Sequence, residues 1–234
     1  MSLPDNAPPE VSISVSIVIP IGPGDEAWRH LLGDLHSLPF PAEILCVATT
    51  ERIANDAVPA RASWLVTNPG RALQMNAGAR QARGRFVWFL HADSRVTVAA
   101  IRALHEQLLR WPAALHYFNL TFAHDGPGLM WLNTLGVWIR SHLLGLPFGD
   151  QGLCLPRDLF HSLGGYSESA AYGEDHLLVW SVRQRGTRLS CTGEAIVTSA
   201  RKYRDRGWGR TTGRHVWLTL KQAWPQFGLW LRGR

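Results

Sequence analysis

A chain of 234 residues with 46% hydrophobic side chains can fill one large core or two small ones. Three scattered cysteines, Cys46, Cys154 and Cys191, offer neither a zinc pattern nor a disulfide framework, so a reducing, cytoplasmic setting is the default. The net charge of +6 is concentrated at one end: residues 1–200 hold 15 Lys/Arg against 17 Asp/Glu, whereas residues 201–234 hold nine basic residues against one acid, Asp205.

Residues 1–12, MSLPDNAPPEVS, lack the basic start and apolar run of a signal peptide and read as a disordered leader. Ser14–Pro20 is a β-branched run closed by proline, a buried strand. A Gly-rich turn and a helix to about Leu38 follow. Glu43–Ala48 is a second strand and Ser63–Thr67 a weaker third. Asn68-Pro69 opens a helix through Arg71, Leu73, Met75, Ala79 and Ala82, which Gly84 ends. Phe86–Leu90 is apolar throughout, as befits a strand covered on both faces, and Thr97 caps a helix to about Trp111. This alternation predicts an α/β fold with a mostly parallel sheet flanked by helices, whose ligands bind at the carboxyl ends of the strands.

The second half is less regular. Leu115–Phe122 reads as a strand, and Leu129–Leu144 as an apolar helix interrupted by Arg140 and His142. Leu153–Leu155 is a short strand, Glu174–Arg185 a helix opening on two acids, and Ala195–Ser199 a last strand. No linker divides the chain. Residues 13–206 form one catalytic unit, with a nucleotide-binding half (13–112) and an acceptor half (113–206), and residues 207–234 form a basic, Trp-rich helical tail.

Three groups of residues could carry chemistry. His91-Ala92-Asp93 follows the fourth strand, where a carboxylate either reaches a divalent ion shared with substrate phosphates or merely caps a turn. Phe148-Gly149-Asp150-Gln151-Gly152 is a ligand-approaching loop or an ordinary Gly-rich turn. Glu174 and Asp175 suit the positive end of a helix, which also keeps a carboxylate ionised as a general base requires. Gly22-Pro23-Gly24-Asp25-Glu26-Ala27 formally matches a dinucleotide-binding turn, but the second strand ends without the ribose-binding acid that such a site needs.

The ordered motifs Gly70–Ala79 (GRALQMNAGA), Phe89–Asp93 (FLHAD), Phe148–Gly152, Gly164-Gly165-Tyr166, Glu174-Asp175 and Thr198–Arg201 (TSAR) span about Ser14 to Trp208. Together they resemble the family 2 glycosyltransferases, and within them the branch associated with arsenosugar biosynthesis. That resemblance implies a GT-A fold and inverting transfer from a nucleotide-diphosphate sugar to an acceptor hydroxyl. Asp93 would bind Mn²⁺ or Mg²⁺ and diphosphate, with His91 in the place of the motif's first acid. Asp175 would be the base, with Glu174 beside it. Pro20, Glu26, Arg71 and Asn76 would join Asp93 in holding the donor, and Asp150, Gln151 and Gly152 would face the acceptor. The segment after Pro20 and the Ala48-Thr49 end of the second strand depart from the family pattern and leave uracil or guanine open as the donor base. Ser169–Tyr172 before the acid pair also departs from that branch and leaves the acceptor open. A nucleotidyltransferase or an inactive nucleotide-binding homologue is the alternative.

In the tail, Val216, Leu220, Trp224, Phe227 and Leu231 repeat at helical spacing, and Pro225 should kink or split the helix. Such a segment either packs on the body or lies on an anionic membrane surface at the inner face. Nucleic acid is not expected, because the body carries no basic excess.

Overall fold

The computed structural model describes residues 13–51 and 59–232, with side chains as far as Trp230. The expected leader and the Leu231 side chain lie outside the described residues. Among these residues one sheet of eight strands runs β3-β2-β1-β4-β7-β6-β8-β5. Its strands are β1 Val15–Ile21, β2 Ala42–Ala48, β3 Ala62–Val66, β4 Phe86–Phe89, β5 Arg95–Val96, β6 Leu115–Phe122, β7 Cys154–Pro156 and β8 Leu189–Thr198. β1, β2, β3 and β4 are parallel neighbours, as the alternation of strand and helix requires. Beyond β4 the expectation of a mostly parallel sheet fails: β7 runs antiparallel to both β4 and β6, and β5 antiparallel to β8. The sheet is mixed. Antiparallel neighbours need no crossover, so the chain between β6 and β7 stays at one end of the sheet, where it can build a site.

Helices cover both faces. α1 Trp28–Asp34 and α3 Val98–Arg110 pack on one, and α2 Arg71–Gln81 and α6 Glu174–Gln184 on the other. Thr97 caps α3 as expected, its hydroxyl accepting from Ala100 N at 3.1 Å. α2 is capped differently from the sequence reading: Asn68-Pro69 stays outside, and Gly70, at φ 146°, precedes the first helical residue. Nor does Gly84 end α2. A Cβ there would stand 2.6 Å from Ser16 N, so this glycine allows the chain to pass tightly over β1.

The apolar helix of the second half is α4 Met130–Trp138, followed by a π-helical turn at Ile139–Leu143. α5 Arg157–Ser162 links β7 towards the Gly164-Gly165 loop. The tail is α7 Arg201–Arg206 and one continuous helix α8 Trp208–Arg232. Pro225 does not split α8: it and Lys221, whose carbonyl it leaves without an i+4 donor, are both exposed, so water can serve that carbonyl. The inner face of α8 packs on the body through Ala223 and Trp230. Among the described residues no helix is long and apolar enough to cross a membrane.

Candidate functional site

β4 ends at Phe89 and hands the chain to His91-Ala92-Asp93 at the carboxyl edge of the parallel strands. Because β7 is antiparallel to β4, with Cys154 opposite Trp88 and Phe89 N donating to Leu153 O at 2.9 Å, the segment before β7 lies against that edge. This segment, Gly149–Gln151, is a short 3-10 turn. α6 closes the group from the other side: Gly149 N–H donates to Asp175 Oδ2 at 2.6 Å. A Cβ on Gly149 would stand 2.9 Å from that oxygen and 3.1 Å from His91 Nε2, so His91, Gly149 and Asp175 meet where no side chain fits at position 149.

Charge organises the cluster. Asp175 and Glu174 are buried, and Arg71, from the first turn of α2, donates through Nε to Glu174 while its side chain stays 46% exposed. Burial pushes the Asp175 carboxyl up. The Arg71 charge, the Gly149 N–H, His91 and the N–H of His176 outweigh it and hold the carboxyl below its ordinary value. Burial likewise opposes the charge on Arg71, but Asp175, Glu174 and Asp150 overcome it and fix the guanidinium as a cation. His91 is driven down by burial and by Arg71, against the pull of Asp150, Asp93 and Asp175. Arg140, from the π-helical turn, loses basicity through burial, opposed by Asp150 and Asp175. Two arginines and an imidazole thus share one site with three carboxylates, Asp150, Glu174 and Asp175.

The expected residues divide. His91, Asp150, Glu174, Asp175 and Arg71 are brought together, and Asp93 follows His91 by two residues on a neighbouring cavity. Asp93 is half-buried, 3.5 Å from the Thr198 hydroxyl, and lines a cavity of ≈ 150 Å³ with His30, Asp125, Ser199 and Arg201. Asp150 buries Oδ1 without a hydrogen-bond partner. Gln151 is engaged inside the fold: Oε1 accepts from Arg140 at 2.9 Å and from Phe148 N at 3.1 Å, and Nε2 donates to Phe118 O at 2.8 Å. Gly152, at φ 61°, is packed so tightly that a Cβ would fall 2.4 Å from Ile196. Pro20 is buried in β1 opposite Val47. Glu26 is exposed on the loop before α1, paired with Arg29 at 3.2 Å. Asn76 is a clamp: Nδ2 donates to Tyr166 O and Glu168 Oε1, both at 2.8 Å, and Oδ1 accepts from Tyr166 N at 2.9 Å.

Sequence reasoning passed over three contributors. The Gly149 N–H has no signature of its own. Arg140, with its guanidinium 3.3 Å from the Phe148 ring centroid, was visible as a charge inside an apolar helix. Tyr166 buries its hydroxyl without a partner, with Asp175, Arg71 and Glu174 among the charges acting on it.

Among the described residues no three His, Cys, Asp or Glu side chains are arranged to hold a metal ion. A protein-only site built on His91 and Asp93 is therefore not formed, and His91 Nε2 lies beside Gly149 instead. The donor set fits the other mode of Mn²⁺ or Mg²⁺ binding, one half-exposed carboxylate with substrate phosphates completing the shell.

No family model matches the chain, and no curated protein matches it in sequence. Solved structures do. A mannosyltransferase, PcManGT from Pyrobaculum calidifontis in complex with GDP-Man and Mn²⁺, is 17% identical over 94% of this chain and 68% of its own, with a TM-score of 0.64. TarS 1–349 from S. aureus is 16% identical over 80% of this chain, with a TM-score of 0.60, and this chain spans 60% of its length. The same fragment in complex with UDP-GlcNAc gives 17%, 80% and 0.59, with 58% of its length spanned. At these identities the likeness is one of fold, and the architecture expected of a glycosyltransferase is the one observed, its parallel share excepted.

Proposed function

We propose that the chain is a glycosyltransferase that moves a hexosyl or related group from a nucleotide-diphosphate donor to an acceptor hydroxyl with inversion. The observation that carries this reading is Asp175: a buried carboxylate held ionised by Arg71 and the Gly149 N–H, at the strand edge where Asp93 and Asp150 also gather. Its second support is the fold shared with proteins solved with UDP-GlcNAc or GDP-Man. Motif order favours the family 2 type and its arsenosugar-associated branch.

In this reading Asp175 takes the proton of the acceptor hydroxyl as that oxygen attacks the anomeric carbon. The bond from that carbon to the diphosphate oxygen breaks on the opposite face, which inverts the centre. Arg71, kept cationic and half-exposed, stabilises the charge gathering on the departing diphosphate. Asp93 would hold the divalent ion, which when bound supplies further neutralisation of that diphosphate. Asp150, with its unpartnered oxygen, orients the acceptor, and Gln151 and Gly152 set the loop that carries it. Pro20 borders the donor's base, and Glu26 and Asn76 act from the rim and from behind the site. The tail is read as meeting an anionic membrane surface from the cytoplasmic side.

A thermal-shift panel of nucleoside diphosphates and nucleotide sugars, with and without Mn²⁺, tests this reading. The expected result is Mn²⁺-dependent stabilisation by one diphosphate class, lost in Asp93→Ala, and release of that diphosphate from its sugar donor. Release of pyrophosphate from a sugar phosphate and a nucleoside triphosphate would overturn it in favour of nucleotidyl transfer. Tight donor binding without turnover would mark an inactive homologue.

A further inference from the structure

The acid pair stands just inside a conformationally permissive entry to α6. Gly173, which precedes Glu174, takes the left-handed region at φ 64°, and no side chain caps the first turn. A glycine there leaves the backbone more freedom than any other residue would. What fixes this entry comes from the tail. Gln222 of α8 donates through Nε2 to Tyr172 O at 3.1 Å, and its Oε1 accepts from His176 Nδ1 at 2.8 Å. One amide thus binds the carbonyl two residues before Glu174 and the ring directly after Asp175. The fit is close, because a Cβ on Gly173 would fall on Gln222 Oε1. Trp180 Nε1 donates to the other ring nitrogen, His176 Nε2, at 2.9 Å, and the Phe148 ring centroid lies 5.1 Å from that of His176. Phe148 is followed by Gly149, whose N–H holds Asp175 Oδ2, while the His176 N–H holds Asp175 Oδ1 at 2.8 Å. Both oxygens of the carboxylate are therefore held by backbone that the His176 ring locks in place.

We infer that Gln222 is a positioning residue for Asp175, acting on the base from the C-terminal helix through the His176 ring and the Tyr172 carbonyl. The inference rests on the proposed transferase reading, in which Asp175 takes the acceptor's proton. That transfer needs the carboxylate held within hydrogen-bond reach and in line with the hydroxyl, so slack at the entry to α6 is paid in rate. Docking of α8 does not hang on Gln222 alone. Ala223 and Trp230 pack on the body, with the Arg183 guanidinium 5.4 Å from the Trp230 ring centroid, and Gln226 Oε1 accepts from Gln184 Nε2 at 3.2 Å. Gln226 meets the last residue of α6, whereas Gln222 meets its first turn. Seating the helix and fixing the acid pair are thus divided between two glutamines. Asp93 follows β4, outside the turn that Gln222 fixes, so diphosphate binding is not expected to depend on Gln222.

The test compares Gln222→Met with Gln226→Met in the full chain. Methionine keeps the length of glutamine and gives up its hydrogen bonds; Gln222→Asn, too short for both bonds, repeats the test should the methionine variant fail to fold. Three quantities are read: release of UDP or GDP from hexose donors at saturating donor, Mn²⁺-dependent binding of UDP and GDP by calorimetry, and amide hydrogen exchange at Gly149 and His176 by NMR. In Gln222→Met the expected result is a kcat lower by roughly ten- to a hundredfold, diphosphate affinity within about twofold of the parent, and exchange at both amides at least about tenfold faster. Gln226→Met should keep the parental rate and exchange. Parental turnover in Gln222→Met overturns the inference, and so does a loss carried by diphosphate affinity alone. An equal loss of turnover in Gln226→Met also overturns it, by tracing the effect to the seating of α8. A parent that releases neither nucleotide from any donor refutes the transferase reading instead, and the exchange then decides: amides as protected in Gln222→Met as in the parent overturn the inference on their own.

Discussion

Gly149→Ala tests the cluster with a single methyl group. Position 149 is not in the left-handed region, so alanine strains no backbone there, and any effect comes from contact. The new Cβ would stand 2.9 Å from Asp175 Oδ2, 3.2 Å from Asp175 Cβ and 3.1 Å from His91 Nε2. Something must move. The Asp175 side chain is short, buried and held by N–H groups from Gly149 at 2.6 Å and from His176 at 2.8 Å, so it cannot swing aside cheaply. Overpacking costs about 1–3 kcal/mol, and a weakened bond to a charged group a similar amount. In a chain of this size that lowers Tm by roughly 2–12 °C. A displacement of order 1 Å at the base should lower turnover about 10²-fold.

The assay is sugar transfer at saturating donor, with melting curves on the same samples, beside Gly136→Ala as a control. Gly136 lies in α4, is exposed and has nothing within 4 Å of its would-be Cβ. Alanine there should hold the rate and stabilise by about 0.5–1 kcal/mol. If Gly149→Ala keeps the parental rate and Tm, the carboxylate does not sit against this backbone, and the reasoning about the base fails.

Three further outcomes follow from the same geometry. Asp175→Asn should lower turnover by roughly 10²–10⁴ with donor affinity little changed, and normal turnover would move the base to Glu174 or Asp150. Arg71→Met removes a charge that holds the Asp175 carboxyl down, so that carboxyl's pKa rises. Because transfer needs the ionised form, the acid limb of the kcat–pH profile should move to higher pH, and a limb that stays in place refutes the coupling. Asn76→Ala strands the buried N–H and C=O of Tyr166 and should cost about 2–4 kcal/mol by denaturant unfolding, with diphosphate affinity unchanged in the folded protein. Lost affinity at full stability would instead make Asn76 a donor contact.

Much of the first half was legible because β1, β2 and β4 are covered on both faces and so carry continuous apolar runs. β1, β2 and β4 lie within a residue or two of where that pattern puts them. What escaped was direction and partnership. β7 is three residues long, and nothing in Cys154-Leu155-Pro156 says that it runs against β4; yet that reversal lays Gly149 against His91 and Asp175. β5 has two residues, too few for any periodicity. Asn76 could be read as a ligand contact because an amide serves a substrate or a loop equally well. The decisive hint was ninety residues away, where Gly164 and Gly165 take positive φ and a Cβ on Gly165 would stand 2.8 Å from Asn76 Oδ1.

The tail shows why a correct periodicity can point the wrong way. An apolar stripe at helical spacing ordinarily faces the core, and Val216, Leu220, Trp224 and Phe227 form such a stripe. In the structure that stripe is the outer face. The inner face of α8 mixes polar and apolar groups: Thr211 is buried, and Ala223 and Trp230 pack on the body. Gln222 Oε1 accepts from His176 Nδ1 at 2.8 Å, and Gln222 Nε2 donates to Tyr172 O at 3.1 Å. Trp180 Nε1 donates to His176 Nε2 at 2.9 Å, so the imidazole proton lies on Nδ1 and Gln222 Oε1 is the acceptor. These bonds seat α8 on either side of Glu174-Asp175 with a face that hydrophobicity alone does not select. A helix that docks through hydrogen bonds and keeps Trp217 and Trp224 outside has its apolar arc unmatched by the body.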